Sequence, residues 1–136
     1  MSFGAPAGLR GMFKTTKAFS GIAVRDLDAA KQFYGETLGI ETTEEGMGLL
    51  TLHLAGGERP TLVYAKSDHE PANYTILNFP VDDIDSVVDE LLERGVDFEI
   101  YDGFEQDERG IVRDQGPPIA WFRDPAGNIL SVLQTD

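Results

Sequence analysis

The apolar positions along the chain switch between two periods, and the switches mark its elements. Ile22 and Val24, then Leu77, Phe79 and Val81, alternate with other residues, the period-two pattern of a half-buried strand. Ile84, Val87, Val88, Leu91 and Leu92 recur instead at i, i+3, i+4, i+7 and i+8, one apolar stripe of a helix. Leu27, Ala30, Phe33, Tyr34 and Leu38 predict an earlier, less regular helix. Further strands are predicted at Met47–Leu54, Thr61–Ala65, Val96–Tyr101, Ile119–Arg123 and Asn128–Leu133, with a weaker one at Glu41–Glu45.

These elements repeat. "FSGIAVRDLDAAKQFYGETLGI" (Phe19–Ile40) lies over "ILNFPVDDIDSVVDELLERGV" (Ile76–Val96), matching Val24 to Val81, Asp26 to Asp83, Asp28 to Asp85 and Glu36 to Glu93. Asp26 and Asp83 are suited to accept from the free amides of a first helical turn, and Asp28 and Asp85 sit near the positive end of the helix dipole. Gly39 and Gly95 suit the left-handed residue that follows a helix. The order is therefore βαβββ twice, an α+β fold class with two tandem modules. Residues 1–18 read as an N-terminal extension and 19–136 as one domain, with modules at about 19–65 and 74–134 and a linker at 66–73. The polar stretch "DGFEQDERGIVRDQGPP" (Asp102–Pro118) exceeds an ordinary connection and is a candidate lid or binding loop.

Composition narrows the partners. The formal net charge of -13 repels phosphate, so neither nucleic acid nor an anionic membrane is an expected partner. No apolar run approaches the roughly 20 residues of a membrane helix. "MSFGAPAGLRGMFKTTK" has no apolar leader core, and a cytoplasmic location is the default expectation. The absence of cysteine excludes disulfides, thiolate metal ligands and cysteine nucleophiles.

Two phrases carry a resemblance: "VRDLDAAKQFYGETLG" in the first half, and "DPAGN" before the last strand. With the paired βαβββ pattern they resemble the vicinal oxygen chelate superfamily, which includes glyoxalase I, extradiol dioxygenases and bleomycin-resistance proteins. The resemblance implies curved, cup-like mixed sheets with helices on the outer face. It implies metal ligands inside the cups of the enzymes, and a homodimer among the drug-binding relatives. The relatives' imidazole position falls on Phe19 in the first half and Ile76 in the second, and their last-strand carboxylate falls on Ser131. Hydrocarbon and a neutral hydroxyl cannot hold a divalent cation, so no metal and no cofactor are expected.

Alternation assigns the remaining candidates. If Leu50, Leu52 and Leu54 pack under the helix, Thr51 and His53 point into the cup. His53 is then a candidate acid or base, or a polar anchor; the plainer alternative is a half-exposed, hydrogen-bonded histidine. Asn78 is the best-placed polar cup residue of the second half, unless it bonds a neighbouring strand. Tyr101 and Trp121 are able to stack on a planar ligand, or to pack in the core. Phe19, Ile76 and Ser131 complete the expected ligand-binding set. His69 reads as a surface linker residue, and Arg109 and Arg113 either clamp a ligand carboxylate or answer their acidic neighbours. The expected function is metal-independent binding of a small, partly apolar or aromatic molecule. The alternative is a lyase, isomerase or dioxygenase-type enzyme, metal-free with His53 as acid or base, or using metal ligands displaced by a register slip.

Overall fold

A computed structural model describes residues 13–135, so most of the extension at 1–18 lies outside the described residues. The first module runs β1 (Ser20–Val24), α1 (Leu27–Lys31), a π-helical turn (Gln32–Thr37), β2 (Thr42–Gly46), β3 (Leu49–Leu54) and β4 (Arg59–Ala65). The second runs β5 (Thr75–Val81), α2 (Ile84–Glu93), β6 (Ile119–Arg123) and β7 (Ile129–Gln134). Each module builds its own mixed sheet, ordered β1-β4-β3-β2 and β5-β7-β6. In both, the first strand runs parallel to the last and the other pairings are antiparallel.

The caps form as the acidic pattern predicts. Asp26 accepts from the amides of Asp28 and Ala29, and Asp83 from the amide of Ser86. The first helix nevertheless changes pitch at Gln32. The Leu38 amide bonds the Phe33 carbonyl five residues back, at 2.9 Å. That widened turn lets the consecutive Phe33 and Tyr34 both pack against the core, which a regular α-helix resists. This explains why the first apolar stripe was less regular than the second.

The second module departs from four strands. Val96–Tyr101 is not a strand; it touches β6 through one bridge, Phe98 to Phe122, and the Glu99 amide on the Trp121 carbonyl. The Gln106 side chain takes both the Glu99 carbonyl (3.0 Å) and the Tyr101 amide (2.6 Å). A side-chain amide thus occupies backbone groups that a ladder would use.

One core unites the modules. Ile22, Val24, Leu50, Leu52 and Val63 from the first sheet join Phe122, Leu130 and Val132 from the second, with Tyr34, Val88 and Leu91 from the helical segments. The helix-facing sides of both sheets therefore share one interior, and the opposite face of each, the cup face, is turned away from it. The seam is polar where the "DPAGN" turn meets the first module. Asp124 is buried, and its Oδ2 accepts from the Tyr34 hydroxyl (2.7 Å) and the Asn128 amide (2.9 Å). Its Oδ1 accepts from the backbone amides of Ala126 and Asn128, each at 2.9 Å. Asn128 also donates to the Ala23 carbonyl in β1.

His69 is corrected by this seam. It is not a surface linker residue but is 8% exposed, with Nε2 2.9 Å from Asn128 Oδ1. Because the Asn128 amide nitrogen is spent on Ala23 and Asp124, its oxygen must accept and His69 Nε2 must donate. The linker is thereby fastened to the turn it passes.

Candidate functional site

Strand register defines what each cup face presents, because directly paired residues share a face. In the first sheet, Gly21, Leu62, Thr51 and Thr43 lie in one row, and Ala23, Tyr64 and Leu49 in the next. Leu50 and Leu52 are fully buried on the opposite face, which puts His53 on the cup face beside Thr51. His53 Nε2 and Thr43 Oγ1 share a hydrogen bond of 2.7 Å, and the Thr51 hydroxyl donates to Glu45 at 2.7 Å. The imidazole is half-buried and engaged by its neighbouring strand. Phe19, just before β1, is 66% exposed, and Tyr64 is also exposed. Tyr64 crosses over Gly21, where a Cβ would stand 3.6 Å from its ring. Alternation within "TLVYA" carried the signal for Leu62 and Tyr64, which sequence reasoning passed over.

In the second sheet, Asn78, Ser131 and Trp121 form one row across all three strands. Ser131 is fully buried, and its hydroxyl donates to Asn78 Oδ1 at 2.5 Å. A hydroxyl in the central strand is thus satisfied by the strand beside it. Trp121 is flanked by two rings from the segment that follows α2. Tyr101 meets it edge-on at 5.5 Å, and Phe104 lies tilted at 5.5 Å, itself partly exposed. Phe104 also escaped sequence reasoning, hidden in a stretch that reads as polar. Ile76 does not line this row; a bulge between Thr75 and Leu77 breaks the alternation, and Ile76 packs against the core instead.

The Tyr101 hydroxyl is buried and has no hydrogen-bond partner. Burial raises its pKa, and the negative charge of Glu99 raises it further against a smaller opposing pull from Arg123, so the phenol keeps its proton. Glu99 is paired with Arg123 Nε at 2.9 Å.

Arg109 and Arg113 are not free to clamp a ligand. Arg109 pairs with Asp85 and with Asp89 (2.9 Å), and Arg113 with Asp85 (2.6 Å) and Asp107 (3.4 Å). The long 102–118 stretch is therefore fastened to α2, and its own Ile111 and Val112 are buried.

The side chains at the positions that the resemblance assigns to metal ligands do not suit a cation. Phe19 is hydrocarbon, Ile76 has turned to the core, and the Ser131 hydroxyl is committed to Asn78. Among the described residues no three His, Asp or Glu side chains gather where an ion could sit.

The two parallel-plus-antiparallel sheets, each with its helical segment on the face away from the cup, define an α+β fold of paired modules. The sequence profile of the Glyoxalase/Bleomycin resistance protein/Dioxygenase superfamily matches residues 16–132, and the chain belongs to that superfamily. Among solved structures, a glyoxalase family protein from Enterococcus faecalis is similar at 24% identity and TM-score 0.66, covering 90% of this chain and 99% of that one. TnmS3, an antibiotic binding protein from Streptomyces sp. CB03234, is similar at 22% identity and TM-score 0.63, covering 90% and 98%. A glyoxalase/bleomycin resistance protein from Catenulispora acidiphila DSM 44928 shares 25% identity at TM-score 0.60, covering 88% and 97%. No curated protein matches the chain. No helix among the described residues is long and apolar enough to cross a membrane.

Proposed function

We propose that this chain is a metal-independent binding protein for a small, flat, partly apolar molecule, held on the cup face of the second sheet. The observation that carries this is the row Asn78–Ser131–Trp121 with Tyr101 and Phe104 on Trp121. It offers stacking surface and a neutral polar pair where metal enzymes of the fold need imidazole and carboxylate donors. The net charge of -13 favours a neutral or cationic guest over an anion. Each cup face is a single open sheet, and β1 and β5 stand at sheet edges, so a second copy in a homodimer would enclose the guest. The antibiotic-binding description of TnmS3 agrees with this class of guest.

Elemental analysis of protein purified without chelator is expected to find no stoichiometric transition metal. A thermal-shift screen of planar neutral and cationic aromatics is expected to raise the melting temperature, because a guest that prefers the folded state stabilises it. Stoichiometric zinc, nickel, iron or manganese, or a screen of such compounds without a single shift, overturns the proposal.

A second reading has its own observation. His53 stands on the first cup face and is oriented by Thr43, the arrangement a general base needs. It predicts turnover of a bound compound that His53→Ala abolishes while binding persists.

A further inference from the structure

Buried polar atoms in folded proteins almost always have a partner, and an exception calls for an explanation. Among the described residues the Tyr101 hydroxyl is that exception. The acceptors of its own segment and of the cup row bond other donors. Glu99 Oε1 takes Arg123, the carbonyls of Glu99 and Gly110 take the Gln106 amide, and Asn78 Oδ1 takes Ser131. The phenol is meanwhile anchored on both sides: its backbone amide is held by Gln106, and its ring stands edge-on to Trp121 at 5.5 Å. The ring is thus held in place while its hydroxyl has no partner.

We infer that the Tyr101 hydroxyl is a specificity donor: it awaits a neutral hydrogen-bond acceptor on the rim of an aromatic guest lying against Trp121. The inference rests on the reading of the second cup as a ligand surface, and narrows that reading to acceptor-bearing aromatics, such as those with a ring nitrogen or a carbonyl. The donor sense follows from burial and from Glu99, which keep the phenol protonated. The neutral character of the acceptor follows from the chain's net charge of -13, which repels an anion.

Quinoline and naphthalene test this, since they differ by one ring atom, a nitrogen acceptor in place of CH. Their affinities are measured by calorimetric titration on the full chain and on Tyr101→Phe. The quinoline-to-naphthalene affinity ratio is expected to be roughly two- to tenfold higher in the wild-type chain than in Y101F, the range of one net hydrogen bond. Comparing the two ratios cancels the difference in hydration between the probes. Equal ratios with both probes bound overturn this inference and leave the ligand-surface reading standing. If neither probe binds the wild-type chain, the ligand-surface reading fails and this inference fails with it.

The unliganded proteins give a second readout. Y101F is expected to melt no lower than wild type, because it deletes a hydroxyl that has no partner. A lower melting temperature would mean that the hydroxyl is already satisfied in the free protein. A change in sedimentation would mean that its acceptor lies on another copy of the chain. Either result overturns the assignment.

Discussion

Removing the Tyr34 hydroxyl tests whether the seam between modules is mechanical. Tyr34 is fully buried, and its hydroxyl donates at 2.7 Å to Asp124, which is 4% exposed. A hydrogen bond to a charged acceptor contributes about 1.5–3 kcal/mol net. In Tyr34→Phe the carboxylate keeps its three other donors, from Ala126 and twice from Asn128, so the loss is confined to one bond. The expected cost is about 2 kcal/mol, or a fall in melting temperature of roughly 4–8 °C for a domain near this size. Asp124→Asn should cost more, about 3–4 kcal/mol, although it keeps the side chain's shape. Every partner of Asp124 is a donor, and the new amide nitrogen must face one of them unpaired. Urea denaturation of the two variants and their double completes the cycle. A coupling energy above about 1 kcal/mol is expected for groups in direct contact. A loss below about 0.5 kcal/mol in Y34F, or strict additivity in the double, would refute the claim that this pair clamps the modules.

Three further outcomes are expected. Met47 and Gly48 both have positive φ at the β2–β3 turn, and Met47 is 98% exposed, so Met47→Asn should stabilise the chain by about 1 kcal/mol in urea denaturation, as asparagine tolerates that backbone better. Hydrogen bonds from Arg113 and Arg109 hold the Asp85 carboxyl below its ordinary value of 3.8; at Asp107 burial pushes the other way but is outweighed by the backbone amides of Ile111 and Arg109. A depressed folded value stabilises above the unfolded value and is lost as pH falls through the folded one, so limited proteolysis by an acid-active protease should cut residues 102–118 more readily below about pH 4, with slower change if the pairing is idle. Phe122 is fully buried between Phe33 and Phe98 while its neighbour Trp121 is half-buried on the cup face, so Phe122→Ala should cost about 3–5 kcal/mol and Trp121→Ala less than half of that, compared by denaturant midpoints.

Much of this arrangement was legible because period and capping are local properties. The stripe of α2, the acids at Asp26 and Asp83, and the opposed faces of Leu52 and His53 all follow from spacing within a few residues. Ser131 stood out for the same reason, as a hydroxyl amid apolar neighbours, though only the fold reveals that Asn78 satisfies it. What escaped depends on distant residues. Two adjacent aromatics at Phe33 and Tyr34 conflict with a helical stripe, and the π-turn that reconciles them answers to Asp124, 90 residues away. His69 looks like a polar loop residue until Asn128 turns toward it. Val96–Tyr101 has strand composition, but Gln106, outside that window, takes its backbone groups. The partnerless phenol of Tyr101 is beyond any pattern, because it is defined by what its surroundings lack.

Alternation also explains how a chain of this fold can change its cup residues without unravelling. On β7, Leu130 and Val132 enter the shared core while Ser131, between them, belongs to the cup row. On β1, Ile22 and Val24 are core while Gly21 and Ala23 are not. The polar seam draws on Tyr34, His69, Asp124 and Asn128, none of which stands on a cup face. Core residues and cup residues therefore lie on opposite sides of the same strands. A cup residue can change from imidazole to phenyl at little cost to the core, whereas the residue beside it cannot. The fold can then persist across the superfamily while the donors that define a reaction come and go, which is why function here has to be argued from cup rows rather than from topology.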